Sequence, residues 1–322
     1  MTGRVATAFV ALLIMFGVPI LVAPWFGWGS KPGPAVTITI AKGSSLTAVT
    51  RQLNGAGLIK APRQFRLLAR MFGKPAPVQA GTYAFRRGDA WRNYLEALQA
   101  GRIEREAITI PEGMPAVLVA DRLKAETRLS GTIAVPAEGS LLPETYDFQP
   151  GEPRARVVSR MQAAMTKTLA ELWAKRSKST VVKTPRDAII LASIVEKETG
   201  KPSERRMVAG VYSNRLRQGM KLDADPTVIY PITQGRPLGR RILRSELDRD
   251  TGYNTYLKPG LPAGPIANPG RASIAAVLDP APTDALYFVA DGTGGHVFAV
   301  TLAEHNANVA KWFALRRQRG EM

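Results

Sequence analysis

The sequence predicts an α+β fold: an apolar N-terminal helix, a small strand–helix module, then a larger mixed α+β domain. Three observations carry this. The chain has 322 residues, 45% of them hydrophobic, which is material for about two packed domains. It opens with an uncharged run, Val5–Ala23. Three later stretches alternate apolar and polar residues up to a glycine and then change to helical spacing. The expected divisions are an anchor at 5–23, the module at 36–101 and the larger domain at 105–318.

The run VATAFVALLIMFGVPILVA approaches the ~20 apolar residues that cross a bilayer core. Arg4 precedes it, which places the N-terminus in the cytoplasm and the chain beyond about Lys31 outside it. Trp25, Phe26 and Trp28 follow as interfacial anchors. The rival is a cleaved signal, but a cut after Ala23 would put Leu21 where a small residue is wanted and Pro24 just beyond. The lipid bilayer is therefore the first partner expected. The net charge of +18 favours polyanions in general, but a location outside the cytoplasm argues against nucleic acid. Between Lys31 and Arg87 stand ten basic side chains and no acidic one.

The three repeats are Ile38–Gly43, Tyr83–Gly88 and Ile108–Gly113, and ten residues after each glycine comes a leucine: Leu53, Leu98 and Leu123. Each reads as strand, turn and amphipathic helix. The first two, VTITIAKGSSLTAV and GTYAFRRGDAWRNYL, loosely resemble the wall-binding LysM module. Glycan binding and a plain scaffold both remain open for residues 36–101. Further on, Val157, Val158, Met161, Met165, Leu169, Leu172 and Trp173 fall at helical spacing, a core-packing pattern.

The chain has no cysteine and two histidines, His296 and His305. That excludes disulfides, a thiol nucleophile and Cys-based zinc sites, so no metal centre is expected, and acid–base chemistry falls mainly to carboxylates, Lys or Tyr. Thr184-Pro-Arg-Asp187 has the capping-box pattern of a helix start. Ala188–Val195 is apolar almost all round, so the helix should be buried and should lie beside a mixed sheet. Glu196 and Glu198 stand in its last turn. Glu196 shares a face with Ala192 and Ile189 and sits at the negative end of the helix dipole. Both effects should raise its pKa, as a general acid for glycosidic cleavage requires. Pairing with Lys197, Lys201 or Arg205 is the plainer alternative. Glu198 projects about 200° round the helix from it.

Asp223–Thr227 reads as a turn, and Asp225 as either a second carboxylate or a turn former. Tyr253–Tyr256 and Leu261–Gly270 form a polar Gly/Pro loop that suits a sugar cleft, although turn chemistry also explains its Gly and Pro. Leu286–Ala290 and His296–Val300 read as a hairpin.

LASIVEKETG (191–200), SERRMVAGVYSNRLRQGMKL (203–222), DPTVIY (225–230), YNTY (253–256), GLPAGPIANPG (260–270) and LYFVADGTGGHVF (286–298) resemble, in order, the YceG-like endolytic murein transglycosylase family. EGSLLPETYDF (138–148) matches more loosely. The resemblance implies an inner-membrane protein, single-pass, with its catalytic domain in the periplasm. It implies cleavage of peptidoglycan strands between N-acetylmuramic acid and N-acetylglucosamine, leaving a 1,6-anhydromuramyl end. Glu196 would act as general acid and then as base. Asn214, Asp225, Thr227, Tyr253, Asn254 and Asn268 would contact substrate. No cofactor is implied. Glycan strands are the implied substrate, and peptidoglycan synthases the implied protein partners. The chain departs from the family pattern at Asp223-Ala224 and Thr251-Gly252. A muramidase-type hydrolase using Asp225 or Asp223, and a non-enzymatic wall-binding scaffold, are the alternatives.

Overall fold

The computed structural model describes residues 18–321. Residues 5–17 of the expected anchor lie outside the described residues. Its remainder begins a short helix, α1 (Val18–Phe26). Among the described residues, no helix is long and apolar enough to cross a membrane. The chain divides into two compact units. One runs to Glu106 and takes in Asp147–Pro150. The other holds Ala107–Tyr146 and the chain from Gly151.

The first unit continues with β1 (Ala35–Ile40), α2 (Leu46–Gly55), α3 (Pro62–Phe72), β2 (Gly81–Arg86) and α4 (Trp91–Ala100). Two of the three repeats predicted from the sequence are therefore present here. β1 and β2 pair antiparallel, with Ile38 opposite Tyr83. Gly43 and Gly88 turn the chain after the strands with φ of +79° and +87°, a region that glycine enters at little cost. Ser45 then caps α2 by accepting the Ala48 amide at 3.3 Å. Val49, Leu53, Phe65, Leu68, Tyr83, Tyr94 and Leu98 bury together as the core. Trp25 of α1 joins them, its ring 6.1 Å from that of Phe65.

In the remainder of the chain the third repeat gives β3 (Glu106–Thr109) and α5 (Ala116–Ala125), with Leu123 fully buried. β3 pairs with β4 (Thr145–Phe148). The helices that follow are α6 (Arg154–Ala174), α7 (Pro185–Glu198), α8 (Arg205–Arg217), α9 (Asp225–Thr233), α10 (Arg244–Leu247) and α11 (Arg271–Leu278). The hairpin of β5 (Tyr287–Ala290) and β6 (His296–Ala299) and then α12 (Leu302–Gln318) complete the chain. Thr184 and Asp187 form the predicted capping box on α7. Every residue from Ala188 to Val195 is buried, and each fully buried Leu or Ile side chain stabilises the fold by ~1.5–3 kcal/mol.

Two expectations are corrected. Among the described residues no mixed sheet flanks α7. The described strands form three separate two-stranded sheets, and α7 packs against α6, α8, α9 and α11. A helix that is apolar on every side needs cover on every side, and helices supply it. The segment Asp223–Thr227 is not a free turn, because Asp225 opens α9 and Pro226 occupies its first turn. Proline fits there because that N–H has no helical partner in any case.

Candidate active site

The C-terminal end of α7 presents its two glutamates to different surroundings, as their angular separation on the helix predicts. Glu196 points toward the start of α11 and α8. Its Oε2 accepts the Gly270 amide at 2.9 Å, and its Oε1 lies 3.4 Å from the Arg205 guanidinium. Arg205 also reaches Glu112 at 3.3 Å. One guanidinium thus bridges two carboxylates, and only 6% of the Glu196 side chain is exposed. Burial and the Glu196 charge push the Glu112 carboxyl upward, while Arg205 opposes them.

Glu198 faces a cavity of about 810 Å³ lined by α8, α9, the β5–β6 hairpin and α12. Burial, reinforced by the charge of Asp225, raises its carboxyl to about 7. No hydrogen-bond donor or cation engages that carboxyl among the described residues. Both glutamates are buried as the apolar run predicts, Glu196 against Gly270 and Arg205 and Glu198 against the cavity. The apolar run of α7 carries both residues, and the cavity opens on the Glu198 side.

The cavity is lined by both polar and aromatic side chains. Asp225 lies beside Glu198 and accepts the Tyr256 hydroxyl at 2.7 Å. Arg215 is almost wholly buried. It donates to the Leu286 carbonyl at 2.7 Å, to Leu222 at 3.0 Å and to the Asp223 carboxylate at 3.1 Å, and its guanidinium stands over the Tyr287 ring. Asp223 adopts φ +50°, a conformation rare for a non-glycine residue. Tyr287, Phe288, Trp312 and Phe313 supply apolar faces. His305 stacks on Tyr287 with centroids 5.2 Å apart, and burial holds its pKa below the usual value. His296 bonds Glu204 at 2.9 Å.

Of the six cleft residues expected from the sequence, Asp225 alone lines this cavity. The others are committed within the protein. Asn214 donates to the Thr283 and Ala285 carbonyls at 2.7 and 3.1 Å, fixing the approach to β5. Thr227 is fully buried against Thr255 and the Ala224 carbonyl. Asn254 ties down the Leu247 and Arg249 carbonyls. Asn268 accepts the Leu141 amide and donates to the Met114 carbonyl and to Glu138. Tyr253 packs on Tyr230, centroids 5.1 Å apart. Asn254 and Asn268 thus brace the Gly/Pro loop from within, while Asn214 and Thr227 brace α8 and α9.

Sequence reasoning missed Glu138. Burial raises its carboxyl to about 7 against the Ala116 amide, which it accepts at 2.9 Å. It also missed Arg215 and the aromatic residues of α12, while Tyr256 of the predicted cleft loop does line the cavity. Among the described residues no cluster of His, Asp and Glu suited to a metal is present.

The profile of the YceG-like family matches residues 38–311. An endolytic murein transglycosylase of Bacillus subtilis is 29% identical over 316 residues, covering 88% of this chain and 86% of its own. One from Streptococcus pneumoniae is 28% identical over 326 residues; the match spans 86% of this chain but 58% of the pneumococcal protein. The crystal structure of a yceG-like protein of Listeria monocytogenes superposes with a TM-score of 0.53 at 27% identity. It covers 85% of this chain and 98% of that one.

Proposed function

The chain belongs to the YceG-like family, and from that premise we propose that it is an endolytic murein transglycosylase; against the Glu196 that the family resemblance implies, we assign Glu198 as its acid. The proposed reaction cleaves the bond from N-acetylmuramic acid to N-acetylglucosamine within nascent strands and leaves a 1,6-anhydromuramyl end. The relatives' shared activity supports the reaction class. The observation that carries the assignment is a carboxyl held near pH 7 in an 810 Å³ cavity with aromatic walls.

Glu198 protonates the glycosidic oxygen as the bond from that oxygen to C1 breaks. Its carboxylate then takes the proton of the muramyl C6 hydroxyl while that oxygen bonds to C1. The proton returns to Glu198, and no water is consumed. Trp312 and Phe313 offer faces on which sugar rings stack, whereas the Tyr287 ring is already taken by Arg215 and His305. Arg215 fixes Asp223 and the entry to β5. Glu196, favoured from the sequence, is placed here as a clamp: it holds Gly270 and Arg205 to the end of α7.

A second reading rests on Asp225. A second carboxylate in the same cavity could activate water, which would make the enzyme a muramidase-type hydrolase. Mass spectrometry of products from purified glycan strands separates the two. Transglycosylation gives anhydromuramyl ends lighter by one water; hydrolysis gives ordinary reducing ends and would sink the proposal.

The proposal includes location. The uncharged run Val5–Ala23, with Arg4 before it, supports a single inner-membrane span, a cytoplasmic N-terminus and a catalytic unit in the periplasm. Peptidoglycan synthases are the partners such a placement suits. Protease protection of a C-terminal tag in spheroplasts contradicts the orientation if the tag survives.

A further inference from the structure

The first unit carries a surface that neither the catalytic reaction nor a membrane span uses. Helix α3 buries Phe65, Leu68 and Ala69 on one side. Its other side presents Arg63, Leu67, Arg70 and Met71 to solvent, with Arg66 half-buried at the edge and Lys60 exposed just before the helix. Leu67 is 51% exposed and Met71 63%. Apolar side chains ringed by cations form a face suited to the boundary between headgroups and acyl chains. No acidic residue occurs before Asp89, so nothing in this stretch offsets the positive field.

The position of α3 relative to the apolar run is fixed by a hydrogen bond. Gln64 Nε2 donates to the Leu21 carbonyl, and Trp25 and Phe26 lie against Phe72 with centroids 6.2 Å apart. Leu21 is two residues from the end of the uncharged run. The first turn of α3 is therefore level with the place where that run would leave the bilayer. Val18, Ile20 and Leu21 are themselves exposed.

We propose that the α3 face docks the first unit on anionic phospholipid headgroups, with Lys60, Arg63 and Arg66 meeting phosphates and Leu67 entering the interface. The inference rests on the membrane location proposed above, and it deepens that location from a tether to a seated domain. Seating would restrict how far the catalytic unit can reach along strands emerging at the membrane.

The chain has no cysteine, so Leu67→Cys gives a single labelling site. The full chain is labelled there with an environment-sensitive fluorophore and reconstituted in vesicles containing spin-labelled lipid, either phosphatidylcholine alone or with phosphatidylglycerol. Lys178→Cys, in an exposed loop of the second unit, is the control. The expected result is several-fold stronger quenching at position 67 than at 178, confined to the anionic vesicles and weakened by salt. Replacing Lys60, Arg63 and Arg66 together by Gln should weaken docking about a hundredfold, since each cation near an anionic surface is worth roughly fivefold. Equal quenching at both positions, or quenching indifferent to lipid charge and to the triple substitution, would overturn the proposal. So would displacement of the label by purified glycan strands, which would make the unit a glycan-binding module. Flotation with vesicles at high salt reports the span separately. A chain that fails to float refutes the span, while quenching at low salt still decides the docking.

Discussion

The Tyr256 hydroxyl donates to Asp225 Oδ1 at 2.7 Å, and the same Asp225 raises the carboxyl of Glu198 through its charge. The carboxylate is thus held in place by a phenol, on the edge of the cavity that Glu198 faces.

Asp225→Asn removes that charge. Glu198 must be protonated to act, so activity falls as pH rises through about 7, the value to which burial and Asp225 bring it. Without Asp225 the carboxyl ionises at lower pH, and the alkaline limb of the pH–rate profile should move toward acid. A limb that stays in place would show that burial alone sets it.

Glu138 makes stability depend on pH. Burial lifts its carboxyl from an ordinary 4.5 to about 7. A folded-state value above the unfolded one means that the stabilisation is fully present below about 4.5 and is lost as pH rises through 7. Its share is at most about 3 kcal/mol. Thermal melts at pH 5 and pH 8 should show the lower transition at pH 8, and Glu138→Gln should narrow the gap. An unchanged gap assigns the dependence to other groups.

Asn214 and Asn268 test the distinction between brace and contact. Each loses buried hydrogen bonds on mutation to Ala, worth about 1–3 kcal/mol for the groups left unpaired. Melting temperature should drop by several degrees while KM stays the same. A raised KM with unchanged melting would return either residue to the substrate cleft.

Gly139 adopts φ +75°, and a Cβ there would lie 2.6 Å from Pro265 and 2.8 Å from Ile189 of α7. Gly139→Ala combines left-handed strain with a clash against α7, for a loss of about 3 kcal/mol. The denaturant midpoint measures it, and a midpoint matching the parent would show that the segment moves freely.

Much of the fold was legible in the sequence because local chemistry determined it. The Thr184–Asp187 box, the three strand–turn–helix repeats and the β5–β6 hairpin all follow from short-range spacing. The burial of α7 followed from its apolar residues, but what buries it did not, since cover by α6, α8 and α11 is a long-range outcome. The acid proposed here stands two residues from the one the sequence favoured, in the same turn of α7. Sequence placed a destabilised carboxylate at the end of α7 and put Glu196 and Glu198 on different sides. Which side opens on a cavity depends on α12 and on Arg215, which draws together β5, Asp223 and the Leu222 carbonyl across distant parts of the chain. Arg205 at the start of α8 pairs with Glu196, a contact the sequence offered only as one of three possible partners.

The most direct test compares Glu198→Gln with Glu196→Gln in the full chain, digesting purified glycan strands and counting anhydromuramyl ends. Glu198→Gln should lower cleavage by about 10²–10⁴-fold, the range for loss of a general acid, with melting unchanged. Glu196→Gln should keep most of the activity and lose stability instead. Cleavage abolished by Glu196→Gln in a folded protein, and retained by Glu198→Gln, would contradict the assignment and make Glu196 the acid.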